Sequence, residues 1–446
     1  MSYYDDFWKR SSMKDVSNLL CMKFEHQEPT VLHATVTIEK PYIESIYQEA
    51  LLNQKKHVQV PGFSRGSTPL TYLEKTYKIP VLEHLKEFFF SSCVSNFLSY
   101  QLSHNKIVTI GKPRLIDLAL EPQTGASFKF QLTKASLQII HDWDRLPFKA
   151  PGRKNYRDLD KQVEVFLAEE EQNKQHLSSA DIQIDDWICF TIQPINAQHQ
   201  PLLGDYGDML WLKIGDEEAD EEVRELFLHK KLGDTFITQA HFLQEHTSKS
   251  FDSQYNFIVA IIEHCSHKNF CIESFKKHFK LKTAKELHLK LIEVFSFRHD
   301  LSQRRETVEA VLKTLLRSNP VAIPQELIYE QREQLLKVIH LNPDYYVYKT
   351  QPDFNEKIFL LAEKQLKEYA LIDALAYKEN ISVTRDDIIS YLNLMKRPRI
   401  KEFVYFDLPS TNIDGQEQLI SHETLRQHCL REKTLNYALH KLTKNR

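Results

Sequence analysis

The spacing of apolar residues changes along this chain, and those changes limit what it can fold into. Between Asp181 and His264 the apolar period is mostly two, in Trp187-Ile188-Cys189-Phe190-Thr191-Ile192, Met209-Leu210-Trp211-Leu212-Lys213-Ile214, Thr235-Phe236-Ile237 and Phe257 to Ile262. Successive side chains of a strand point to opposite faces, so these runs predict a small β-rich domain over 181–266. Beyond Lys268 the period becomes 3.6: Val308, Val311, Leu312, Leu315 and Leu316 make one stripe, and Leu361, Ala362, Leu366, Tyr369, Ala370 and Leu375 another. Those stripes predict a nearly all-helical region over 267–446. With 446 residues the chain exceeds what one ordinary core supports, so separate modules are expected.

The first 142 residues mix both periods. Val31, Ala34, Val36 and Ile38 read as a strand, and Pro41 then stands where a helix can begin. In that helix Ile43, Ile46, Tyr47, Ala50 and Leu51 recur at three and four residues, and Lys55-Lys56-His57 place positive charge at its C-terminal end. The loop Gly62-Phe63-Ser64-Arg65-Gly66-Ser67-Thr68-Pro69 follows, with Thr68 expected as N-cap and Pro69 as first helical residue. Helices are then expected from Pro69 to about Tyr77 and from Pro80 to about Leu102, burying Phe88, Phe89, Phe97 and Leu98. Alternation returns from Ser127 to Ile140. Residues 143–180, with Pro147, Pro151 and Gly152, read as a linker carrying one helix whose thin stripe is Leu159, Val163, Phe166 and Leu167. In the last region Pro324 marks a helix start, and Thr384 with Asp387 resembles a capping box.

Composition excludes several classes. A net charge of −3 argues against a chain coated for nucleic acid and confines any RNA contact to a local patch. Six scattered cysteines without a CxxC pair suit reduced thiols, and the first thirty residues lack the apolar run of a secretory signal. No apolar run approaches the roughly 20 residues of a membrane helix, so a cytoplasmic protein with no membrane association is expected. His264-Cys265-Ser266-His267 with Cys271 does not have a usual structural-zinc spacing, and no Walker, HExxH, GxSxG or dinucleotide glycine pattern occurs. No cofactor or metal is therefore expected, and action without ATP follows.

The ordered set of modules resembles the trigger factor family over nearly the whole chain. The family's loop has the form Gly-Phe-x-x-Gly-x-x-Pro, and Gly62, Phe63, Gly66 and Pro69 stand at those spacings. The run Glu306 to Pro324 looks like the family's helix ending in an Ile/Val-Pro turn, and Glu363–Glu379 and Leu425–Leu442 are similar in spacing. The resemblance implies a multidomain α+β protein: a ribosome-binding domain over 1–142, the linker, an FKBP-like peptidyl-prolyl isomerase domain, and a helical C-terminal chaperone domain with arms. It implies a chaperone that docks at the ribosomal exit, on ribosomal protein and rRNA, and holds nascent and unfolded polypeptides, with homodimers off the ribosome.

The implied docking residues are Gly62, Phe63, Ser64, Arg65, Gly66 and Pro69. From Lys55 to Lys78 five basic residues (Lys55, Lys56, Arg65, Lys75, Lys78) face one acid, Glu74, a net of +4 that suits phosphate or an acidic protein surface. Members commonly carry two basic residues after the Phe, where this chain has Ser64 then Arg65, and Ser67 replaces a common Lys. Weaker or less salt-dependent docking is expected.

A prolyl isomerase of this type uses aromatic walls, taking the X-Pro amide into a poorly hydrated pocket and easing a rotation barrier of about 20 kcal/mol. By resemblance Phe190 and Phe257 are pocket aromatics, with Trp211 and Phe236 as further walls. Val223 stands where the family has a Phe, and Asp216 to Glu222 place six acids in seven residues beside the expected cleft. Weak or lost isomerase activity is expected, open between a feeble enzyme and a domain kept for binding or spacing. For client contact the candidates are Tyr345, Tyr346 and Tyr348, and Phe403, Tyr405 and Phe406, where aromatics sit at breaks in helical pattern. Two alternatives compete with the ribosome-docked chaperone: a free cytosolic prolyl isomerase with helical arms, and a helical scaffold unrelated to ribosomes.

Overall fold

A computed structural model describes residues 19–446 except 138, 150–158, 177–180, 249–253, 267–271, 300, 341–344, 397–403, 409–411, 414 and 445–446. Phe403, His267 and Cys271 lie outside the described residues. The protein is a multidomain α+β molecule.

The first module is a four-stranded antiparallel sheet, β1 (Leu20–His26), β2 (Val31–Ile38), β3 (Thr109–Glu121) and β4 (Gly125–Lys134), in the order β1-β2-β4-β3. Alternation works as the sequence requires: Leu32, Ala34, Val36 and Ile38 of β2 are buried with Phe128, Phe130 and Leu132 of β4. The helix Lys40–His57 carries Pro41 at its start and buries Ile43, Ile46, Tyr47, Ala50 and Leu51. Strands β1 and β3 escaped the periodicity reading, because β1 alternates only loosely and β3 is mostly exposed with two register shifts.

Two expectations are corrected here. Pro80 does not separate two helices; it sits inside one helix, Leu70–Phe89. A proline removes one i→i−4 bond, but Pro80 and Thr76 are both on the solvent side, where the released carbonyl can be hydrated. Meanwhile Leu73, Val81 and Leu85 are fully buried on either side of it, so packing carries the helix through. The chain then passes through a π-helical turn, Phe90–Val94, where Ser95 N–H donates to the Phe90 carbonyl, into the helix Ser95–His104. Second, Pro69 occupies the N-cap of Leu70–Phe89, and the Thr68 hydroxyl is buried without capping it.

The β module has a five-stranded sheet: β5 (Trp187–Ile195), β6 (Asp208–Lys213), β7 (Thr235–Thr238) and β8 (Asn256–Cys265) are joined by a strand from near the C-terminus. After a small ribbon of β9 (Asn412–Ile413) and β10 (Gln416–Glu417), β11 (Ile420–Ser421) pairs with β6, giving the order β11-β6-β5-β8-β7. The expected limits 181–266 therefore omit one strand of this sheet. Two residues carry too little pattern to be read as a strand; β6 supplies their partners.

The remainder is helical: Ile272–His278, Ala284–His299, Leu301–Ser318, Gln325–Ile339, Tyr345–Lys349, Phe354–Lys378, Arg385–Lys396 and His422–Lys444. The expected linker helix, Leu159–His176, packs along Ala284–His299, with Val163 and Phe166 in one core with Phe275, Leu287 and Leu291. Thr384 and Asp387 form the capping box: Thr384 N–H donates to Asp387 Oδ2 at 2.8 Å and Asp387 N–H to Thr384 Oγ1 at 3.4 Å. A bidentate pair, Arg431 to Asp373 at 2.9 and 2.8 Å, ties Phe354–Lys378 to His422–Lys444, with the guanidinium 4.2 Å above the Tyr369 ring. Among the described residues no helix is long and apolar enough to cross a membrane.

Candidate functional sites

The loop between Lys40–His57 and Leu70–Phe89 is built by two glycines. Gly62 has φ +90° and Gly66 φ +81°, with open space where a Cβ would lie, so backbone conformation alone demands glycine there. Short local bonds close the turns: Phe63 N–H donates to Val60 O at 3.1 Å and Ser67 N–H to Ser64 O at 3.0 Å. The Ser67 hydroxyl donates to Ser64 O at 2.7 Å, so the two serines stiffen the tip without charging it. Arg65 Nε donates to the Lys56 carbonyl at 3.1 Å, which ties the tip to the positive helix end. Every residue from Pro61 to Ser67 is exposed. Phe63 is 36% exposed and its ring lies 5.6 Å from that of Tyr72, itself exposed. A rigid apolar tip thus stands beside the exposed Lys56, Arg65, Lys75 and Lys78. Such a surface can dock on a partner that offers an apolar notch beside negative charge.

The expected prolyl pocket has a different geometry. Phe190 and Phe257 lie on one face of the sheet and are both 0% exposed. Trp211 lies on the other face: it pairs with Cys189 across β5 and β6, packs with Trp187 and Tyr391, and donates its indole N–H to His422 Nδ1 at 3.1 Å. Phe236 is half-buried on the Phe190 side. The four aromatics therefore divide between two faces, because strand neighbours of opposite parity cannot share one. One helical turn after Val223 stands another aromatic: Phe227, fully buried, has its ring 4.9 Å from that of Phe190 and 5.9 Å from that of Phe236. The i, i+4 spacing from Val223 was the signal for it. Of the acidic run, Asp216, Glu217, Glu218 and Glu221 are exposed to solvent. Asp220 is buried and accepts the Glu417 N–H at 3.0 Å, while Glu222 caps the helix His241–Thr247 by accepting the Phe242 N–H at 3.1 Å.

The six client candidates also separate. Tyr346 is 78% exposed, with Val347 and Tyr348 exposed beside it, whereas Tyr345 is buried against Phe354 and Ile358. Phe406 is buried in the helical core, and Tyr405, half-buried, donates its hydroxyl to Glu368 at 3.1 Å. Burial raises the Glu368 carboxyl to about 7. One further feature had no sequence signal: a cavity of about 1260 Å³ where the three modules meet, walled by Tyr100, Gln193, Met209, Ile258, Tyr377 and Arg385 among others.

Comparison with known proteins agrees with this architecture. Residues 22–163 match the family model "Bacterial trigger factor protein (TF)", and residues 283–439 match "Bacterial trigger factor protein (TF) C-terminus". Similar curated proteins are the trigger factors of Geotalea daltonii, 23% identical over 90% of this chain and 91% of the relative, and of Rickettsia prowazekii, 21% identical over 91% and 90%. That of Salinibacter ruber is 22% identical over 81% and 80%. A solved structure described under "Promiscuous Substrate Recognition in Folding and Assembly Activities of the Trigger Factor Chaperone" aligns with 94% of this chain and all of its own at 14% identity, with a TM-score of 0.35. The two matched stretches together take in well over half of the 446 residues, lie on either side of residues 181–266, and include both the glycine-bounded loop and most of the helical body. The chain belongs to the trigger factor family.

Proposed function

We propose that this protein is a ribosome-associated chaperone that works without ATP, docks by the loop Gly62–Pro69 and holds nascent chains folding-competent. The observation that carries this reading is the loop itself: two positive-φ glycines spend conformational freedom to present Phe63 and Arg65 outward, which no core requirement explains. Phe63 with Tyr72 supplies the apolar contact to ribosomal protein, and Arg65 with the flanking lysines the contact to rRNA phosphate near the exit. The protein acts in the cytoplasm and pairs with a second copy when off the ribosome. Tyr346, Val347 and Tyr348 form an exposed apolar strip suited to client segments, since unfolded chains offer apolar side chains in no fixed arrangement. The buried Tyr345 anchors that strip, and Tyr405 and Phe406 serve a separate helical core.

Co-sedimentation with ribosomes tests the docking assignment. Phe63→Ala with Arg65→Ala is expected to leave the protein in the supernatant at physiological salt while its far-UV spectrum is unchanged. Pelleting of the double variant at the wild-type level would sink it.

A further inference from the structure

The structure assigns the β module a role that an isomerase domain does not have: we propose that it is an internal clasp, locking the docking module to the helical body, with its aromatic face used for packing rather than for prolyl substrates. Among the described residues the aromatic face of the sheet runs on into the core of the first module. Phe190, Phe257, Val259 and Ile261 share one continuous core with Phe88 and Phe89 of the docking module. The rings step from one module to the other, Phe89 to Phe88 at 5.4 Å, Phe88 to Tyr255 at 5.4 Å, and Tyr255 to Phe257 at 6.3 Å, all four fully buried. A prolyl peptide entering here would have to displace side chains already at core packing density.

Polar stitches run along the same seam. His84 Nε2 and the Tyr255 hydroxyl are 2.7 Å apart, with the two rings stacked at 5.6 Å. Asn96 Nδ2 donates to Asp208 Oδ1 at 2.9 Å, and His246 Nε2 donates to Asp208 Oδ2 at 2.9 Å, so a fully buried carboxylate is satisfied partly from each module. Tyr206 donates its hydroxyl to the Ser92 carbonyl at 2.6 Å, within the π-helical turn, and Ser248 donates to Glu87 at 2.7 Å. A buried carboxylate is costly when it loses its partners, so these groups specify one docked position instead of a sliding contact.

The opposite face is held by the helical body at one end, through Trp187, Cys189, Trp211 and Cys265, while Thr191, Gln193, Met209 and Ile258 at its other end line the cavity. Strand β11 completes the sheet, Trp211 reaches His422, and Arg385 forms a bidentate pair with the buried Glu263. A module packed across one face, at one end of the other and along one edge transmits the position of the docking loop's helix to the client-binding helices. This assignment does not depend on ribosome binding, and its test uses the free full-length protein.

Hydrogen–deuterium exchange on the full chain and on Tyr255→Phe, which keeps the ring and removes one stitch, reads the clasp directly. Loss of one buried hydrogen bond is expected to lower protection about 2- to 10-fold both in Leu70–Phe89 and in β5 and β8. Asn96→Ala is expected to produce a larger loss in the same two places. Changes confined to β8 for Tyr255→Phe, or to the substituted helix for Asn96→Ala, overturn the proposal, because independently folded modules would not share them. Prolyl-peptide turnover by the unmodified full chain is expected to equal the uncatalysed rate; a rate above it means that the aromatic face opens to substrate and likewise overturns the assignment.

Discussion

Phe63 and Phe190 each stand in a segment that looked functional, and they end in opposite surroundings. Phe63 lies between two positive-φ glycines in a loop closed by local bonds, 36% exposed. Phe190 lies on a strand whose same-parity neighbours Ile192, Phe257 and Val259 all face the same core, and it is 0% exposed. The difference teaches that an aromatic is free to meet a partner where its backbone is held by short-range geometry. Where pairing and parity hold the backbone, the side chain inherits whatever covers that face.

The comparison breaks most easily at Phe190. Phe190→Ala should cost about 3–5 kcal/mol in denaturant unfolding, the usual loss for truncating a buried Phe. A loss under about 1 kcal/mol would mean that the face is open and the contrast false.

Glu368 beneath Tyr405 sharpens the same contrast among the client candidates. Its carboxyl is raised from the ordinary 4.5 to about 7, so between those values the folded state holds a proton that the unfolded state has released. Its contribution is thus fully present below about 4.5 and is lost as pH rises through 7, with a slope of at most about 1.4 kcal/mol per pH unit. Glu368→Gln should flatten that part of the stability–pH curve; an unchanged slope would place Tyr405 and Glu368 in solvent.

Gly66→Ala should cost about 1–2 kcal/mol, purely for forcing a Cβ into left-handed backbone. Because nothing lies within 4 Å of the added carbon, a greater loss would show that the tip is packed and not presented. Phe63→Ala with Arg65→Ala should alter stability least, within about 0.5 kcal/mol, as exposed substitutions do. Thermal unfolding of that pair beside Phe190→Ala sets the two ends of the scale.

Local chemistry was legible from the residues. Strand β2 follows from Ala34, Val36 and Ile38 alternating, the helix after it from Pro41 and an i, i+3, i+4 stripe, the Thr384–Asp387 box from two residues three apart, and the loop from Gly62 and Gly66. Each depends on interactions within a few positions, which is why spacing alone carries it. Tertiary structure decided the rest. Pro80 stays helical because Val81 and Leu85 are buried beside it, Ile420–Ser421 is a strand because β6 offers an edge, and Phe227 meets Phe190 because its helix lies across that strand. The docking of the β module depends on His84 meeting Tyr255, 171 positions away, and on Asn96 meeting Asp208, 112 away. Periodicity states that a face must be buried; only three-dimensional packing chooses what buries it, because the apolar driving force is non-directional and any complementary surface satisfies it.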